Sequence, residues 1–184
     1  TLADIDVNYT DNHGDTPFIR ASIKNHLNVV TFLSTLPEVK VNYVNKFQNT
    51  AILLAANSGH GDIVRFLSTL PGVDVDFVNS DGDTPLLLAA YRDHLDIVKY
   101  LTTLPGVNVN HKNSDDDTAF TLAAGKDRND VVKYLSTIPS ININHTNRMN
   151  ASALVIARYR DNYELEKYLL SLDNIIAPDS STED

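Results

Sequence analysis

Apolar positions recur in a fixed frame along the chain. In the stretch Asp81 to Asn110, DGDTPLLLAAYRDHLDIVKYLTTLPGVNVN, an apolar run, TPLLLAAYR, is followed by DHLDIVKYL. There Ile97, Val98, Leu101 and Leu104 fall at i, i+1, i+4 and i+7, a spacing that predicts one buried stripe on a helix. Ile63, Val64, Leu67 and Leu70 repeat it one unit earlier. Thr16, Thr50, Thr84, Thr118 and Ser152 stand 34 residues apart, each followed by Pro or Ala (Pro17, Ala51, Pro85, Ala119, Ala153). A chain with such a period reads as an array of one supersecondary unit, each copy burying its apolar face against its neighbours.

Start and stop signals repeat with the stripes. Thr84 is expected to cap the first helix and Pro85 to occupy its first position, where a missing N–H costs nothing. Asn25, Gly59, Asp93, Asp127 and Asp161 are N-cap types ahead of the second helix. Three residues on stand Asn28, Asp62, Asp96, Asp130 and Glu164, mostly acids that favour the positive end of the helix dipole. Pro37, Pro71, Pro105 and Pro139 are expected to end that helix, because proline disfavours helical geometry in the residue before it, and an extended segment such as VNVNHKNSDDD follows. Residues 1–10 align with the tail of a unit, so the chain reads as a fragment. An array over 1–177 is expected, with full units at 11–44, 45–78, 79–112, 113–146 and 147–177. The last is a terminal cap exposing Glu164, Glu166 and Lys167, with Arg158 where other units mostly have Ala, and 178–184, PDSSTED, is expected to be disordered.

TPLLLAA, DHLDIVKYL and VNVN together resemble the ankyrin repeat, whose pattern is TPLHLAA, GHLEIVxxLL and ADVN, over nearly the whole chain. The resemblance implies an all-α solenoid of stacked antiparallel helix pairs with hairpin-like fingers. It also implies a concave face that binds a protein or peptide. This sequence departs from the pattern at three places. Its unit has 34 residues rather than 33, the extra one falling in the TLPGV stretch. The family's histidine is replaced by Ile19, Leu53, Leu87, Thr121 and Val155, so apolar contacts are expected to substitute for its hydrogen bonds. The hairpin glycine is kept only at Gly14 and Gly82; Asp116 and Asn150 tolerate left-handed backbone, whereas Gln48 does so poorly, and strain is expected there.

A formal net charge of −9, with no run among the 15 basic residues, argues against a nucleic-acid partner and for a neutral or basic one. The absence of cysteine excludes a disulfide scaffold and cysteine catalysis. No membrane span or signal peptide is visible, so a soluble, monomeric, cytoplasmic protein is expected, in a host cytosol if it is a delivered microbial effector. No phosphate loop, nucleophile elbow or paired carboxylates stand out, so no catalysis and no cofactor are expected. His26, His60 and His94 share one repeat position, but equivalent positions in stacked units lie about 8–10 Å apart, too far to converge on one metal ion. Asp115 to Asp117 lack the Gly and later Glu of a calcium loop and read as a solvated acidic lip.

Candidate binding positions come from the finger tips and the ends of the first helices. Tyr9, Tyr43, Phe77, His111 and His145 form a ladder after the VN pair. Beside it stand Phe47, Asp81, Asp115 and Met149 on the fingers, and Tyr91, Arg92, Lys126, Tyr159 and Arg160 on the helix ends. Such a mixture of aromatic and charged residues suits an interface. The partner-binding set is Tyr43, Phe47, Phe77, Asp81, Asp83, Tyr91, Arg92, His111, Asp115 and Lys126, centred on units two to four. The alternative to a ladder that binds is one that packs finger on finger. In ankyrin repeats the VN asparagine can be hydroxylated by an asparaginyl hydroxylase, which points to Asn42, Asn110 and Asn144, with Asp76 replacing it in one unit. The leading reading is a non-catalytic interaction module; the alternative is the targeting arm of a larger enzyme or microbial effector whose catalytic part lies outside these residues.

Overall fold

The computed structural model describes residues 6–177; the expected tail of an earlier unit lies partly, and the expected disordered segment entirely, outside them. Ten helices follow in pairs: α1 (Pro17–Ile23) with α2 (Leu27–Ser34), α3 (Ala51–Ser58) with α4 (Gly61–Thr69), α5 (Pro85–Tyr91) with α6 (Leu95–Leu101), α7 (Ala119–Gly125) with α8 (Asn129–Ser136), and α9 (Ala153–Tyr159) with α10 (Tyr163–Leu170). Every first helix begins 34 residues after the last. Each pairs with its own second helix and stacks on the first helix of the next unit, giving the expected helical solenoid.

The first helices stack more closely than the second ones do. Ala55, Ala56, Ala89, Ala90, Ala123 and Ala124 are fully buried there, and such small side chains let backbones approach. The row of first helices is therefore the shorter, concave side. Ile63, Val64 and Leu67 on α4, and Ile97, Val98 and Leu101 on α6, are buried as their spacing requires. Leu70 and Leu104, the last members of each stripe, are half-buried. Of the residues replacing the family's histidine, Ile19, Leu53 and Leu87 are buried apolar side chains. Thr121 instead makes a capping box with Thr118 and donates to Asp117 Oδ1 at 2.8 Å.

Thr16, Thr84, Thr118 and Ser152 accept from the backbone N–H three residues on, as N-caps. Thr50 makes no such bond, and its hydroxyl is buried without a partner. The caps of the second helices stand one residue later than expected, at His26, His60, His94, Arg128 and Asn162. Asn25, Gly59, Asp93, Asp127 and Asp161 adopt left-handed backbone instead. The N–H groups of His26, His60 and His94 reach back to the carbonyls of Ala21, Ala55 and Ala89, the bonding of a Schellman C-cap. These residues end the first helix rather than start the second. Asp62, Asp96, Asp130 and Glu164 do lie in the first turn of the second helix.

The extra residue lies in a tight turn. Val39, Val73 and Ile141 donate their N–H to Leu36, Leu70 and Ile138 carbonyls at 3.1, 3.2 and 3.0 Å, closing turns with proline at the second position. The fingers carry no extended strand among the described residues, only an isolated antiparallel bridge, Thr146 to Ser152. Gln48 has a φ of +58°, the left-handed backbone expected at that position. Around it, the finger-to-finger bond made elsewhere by Ser114 N–H to Asp81 O and Arg148 N–H to Asp115 O gives way to Ser80 Oγ donating to Phe47 O at 3.1 Å.

Candidate functional site

Two polar ladders fix the fingers and turns from unit to unit. In the first, Asn45, Asn79, Asn113 and Asn147 each accept two backbone N–H groups of their own finger through Oδ1. Each also donates Nδ2 to the finger before it, at Asp15, Asn49, Asp83 and Asp117, over 2.8 to 3.0 Å. Sequence reasoning passed over this ladder, although its members recur at the repeat period. In the second, the VN asparagines Asn42, Asn110 and Asn144 donate Nδ2 to the carbonyls of Gly72, Ser140 and Asn174 at 2.5, 2.6 and 2.7 Å. Each acceptor lies in the next unit's turn, so the turn that holds the extra residue presents the carbonyl that the clamp grips. The amides of the three hydroxylation candidates are thus committed to joints between units.

Asp76 stands where that clamp needs a donor. Its Oδ2 accepts from Asn108 N–H at 3.1 Å, but its Oδ1 is buried without a partner. Burial pushes its carboxyl above the usual range.

Two histidines of the second-helix caps, His60 and His94, serve the stack. His60 Nε2 meets Ile23 O at 2.8 Å and His94 Nε2 meets Asn57 O at 3.2 Å, both in the preceding unit. His111 and His145 of the ladder behave alike, with Nε2 at 2.9 and 2.6 Å from the carbonyls of Gly82 and Asp116 in the finger before. Tyr43 is half-buried against the core. His111 and His145 thus join finger to finger, whereas Tyr43 packs on the core and Phe77 is half-buried.

The remaining candidates separate into two groups. Asp83, Tyr91, Arg92 and Asp115 come together with Leu87, Leu88, Asp117 and Leu122 around a recess of 290 Å³ between the first helices of units three and four. Tyr91 is half-buried. Its ring lies under the Arg92 guanidinium, 5.2 Å from the centroid, and under Lys126 Nζ at 4.7 Å. Arg92 Nε also donates to Asn57 Oδ1 at 3.0 Å. Asp83 accepts from Asn113, and burial raises its carboxyl above the usual range, with Asp81 and Asp115 adding repulsion. Asp81 and Asp115 are exposed, Asp115 with Arg148 at 3.8 Å. Tyr43, Phe47 and Phe77 do not line this recess; Phe47 is 55% exposed at its finger tip.

A larger recess, 450 Å³, lies one unit further on than the set centred on units two to four. Lys126 of that set lines it, with Leu122, Gly125, Val155 and Ile156. Met149 and Tyr159, respectively 82% and 90% exposed, complete it. Met149, Tyr159 and Arg160 were legible as concave-face positions; Val155 and Ile156 were not, since their spacing reads as core. Arg160 is fixed at the edge by Asp127, whose carboxyl the guanidinium holds below the usual range, with Nε to Oδ2 at 3.0 Å.

No group of His, Asp or Glu among the described residues converges as a metal site would require, and no helix there is long and apolar enough to cross a membrane. Residues 34–113 match the family model for ankyrin repeats in 3 copies, and no curated protein matches the chain. The chain therefore carries ankyrin repeats over residues 34–113, repeats that generally serve protein–protein interaction, and α1 and α7 to α10, outside the matched stretch, keep the same 34-residue register.

Proposed function

We propose that this chain is a non-catalytic interaction module that holds a protein or peptide segment along the face built from first helices and finger bases. The observation that carries this reading is the pair of adjoining recesses on that face, which share Asp117 and Leu122. Large apolar side chains left in water at Met149 and Tyr159 are what a partner would cover. The acidic balance of the chain and the carboxylates of Asp81, Asp83 and Asp115 favour a basic ligand. Their long-range attraction would raise its association rate and make binding sensitive to salt.

A photo-crosslinking side chain placed at Tyr159, on this face, should form adducts with partner from cell extract. The same group at the exposed Lys167 of α10 should form few. Adducts from Lys167 and none from Tyr159 would move the partner to the outer row of helices.

A further inference from the structure

Positions 23, 57, 91, 125 and 159 are equivalent and lie at the ends of the first helices. They carry Ile23, Asn57, Tyr91, Gly125 and Tyr159, so unit four alone has no side chain there. The 450 Å³ recess lies at that gap, with Gly125 in its lining. A Cβ built on Gly125 would meet only Ile156 Cγ2, at 3.9 Å, so the space is open to a side chain supplied from outside. Leu122, Val155 and Ile156 make its walls apolar. The neighbouring 290 Å³ recess has the opposite character, lined by the carboxylates of Asp83, Asp115 and Asp117; Arg92 in its lining is turned onto Asn57 and Tyr91, and at its edge Lys126 lies over Tyr91 and the exposed Arg148 stands 3.8 Å from Asp115.

We infer that the two recesses form one bipartite site for an extended peptide, an apolar side chain filling the gap at Gly125 and a lysine or arginine entering the recess of Asp83 and Asp115. This rests on the concave-face reading above and adds the ligand's chemistry and spacing. Adjacent packed helices stand about 8–10 Å apart, and an extended chain advances about 3.3 Å per residue. The basic residue and the apolar anchor therefore lie about three positions apart.

The test is selection of random displayed peptides on the immobilised chain, followed by fluorescence polarisation of the selected sequences on variants. Selected peptides are expected to share a basic residue about three positions from Leu, Ile, Met or Phe. Gly125→Tyr, which restores the residue type of the units on either side, should weaken them at least about tenfold, or ~1.4 kcal/mol, at any ionic strength. Its melting temperature should be unchanged or higher, because a side chain replaces a helical glycine. Gly125→Asn, the residue type of unit two, is the second variant should tyrosine disturb the fold. Asp115→Asn should weaken the same peptides chiefly at low salt. Selected peptides that bind Gly125→Tyr and Gly125→Asn as well as the parent, but lose affinity for Tyr91→Ala, would overturn the bipartite site and leave the groove reading standing. Apolar anchors without a basic residue at that spacing would overturn the acidic half. Enrichment of no sequence, or binding indifferent to Tyr91 as well, would overturn both readings.

Discussion

The units of this array are joined in two different ways, and the two respond differently to substitution. Along the inner row, first helix meets first helix through a continuous apolar layer in which Leu53, Leu87 and the paired alanines are fully buried. Along the fingers and turns, joints are made by one or two hydrogen bonds from a repeated side chain, and the outer helices add such bonds to their buried apolar stripes. Examples are Asn110 to Ser140 O, Asn113 to Asp83, and Tyr134 Oη to Thr102 Oγ1 at 2.8 Å. A layer of dispersed contacts tolerates exchange of one apolar residue for another, whereas a single polar contact is either made or missing. Asp76 shows the second case, because a carboxylate cannot donate where its asparagine equivalents do.

The largest effect is expected from breaking the inner layer. Leu87→Asp places a charge at a fully buried position and should cost several kcal/mol, about 3 or more. Since neighbours lose their shared interface, more than one unit should unfold, seen as loss of helical circular dichroism beyond one helix pair. A parent-like melt would show that the inner row has been misassigned.

Gly59→Ala tests a polar joint next. At φ +77° a side chain is strained, and its Cβ would lie 2.5 Å from His94 Cε1, displacing the ring from Asn57 O. A loss of about 1–3 kcal/mol is expected, read from the urea midpoint.

Asp76→Asn should act in the opposite direction, restoring a donor and gaining about 1 kcal/mol at neutral pH. Because the folded-state carboxyl is held above its unfolded value by burial, the folded parent binds its proton more tightly. The parent's deficit at this site should therefore shrink as pH falls through the raised folded value towards the unfolded one, near 3.9. The two melting curves should converge on acidification, and a constant gap would mean that Asp76 does not titrate in this environment. Asp127 and Glu164, held low by Arg160 and Lys133, contribute to both proteins alike and cancel in the difference.

Tyr134→Phe removes one hydroxyl from the outer row and leaves the ring in place. Its cost should be the smallest, at the low end of about 0.5–1.5 kcal/mol, because Thr102 Oγ1 keeps its bond to Val98 O, and it should be measurable only as a shift in the denaturation midpoint.

Most of the fold was legible because it is local and periodic. Thr84 and Pro85, and the stripe of Ile97, Val98 and Leu101, each state their role within a few residues, and recurrence at one spacing repeats the statement in every unit. The second-helix caps were misread for a chemical reason. Asn, Asp and Gly are favoured both at N-caps and in left-handed backbone, and only the bond from His94 N–H to Ala89 O decides between the two for Asp93. The VN asparagines were visible as a pattern but not as clamps, since their acceptors lie 30 residues away in sequence. The aromatic and imidazole ladder is legible in sequence as a recurring surface position, but the bonds of His111 and His145 to the fingers before them are not, since their acceptors lie 29 residues away.

The sequence by itself determined the unit, its helix pair, its register and the array that follows, because helix periodicity, caps and proline stops act over short distances. Tertiary structure alone decided which polar side chains are consumed between units and where the concave face is left open. Gly125 illustrates the division. In sequence it is one glycine at the end of a helix, and it becomes a recess only when Val155, Ile156, Met149 and Tyr159 of the next unit are brought around it.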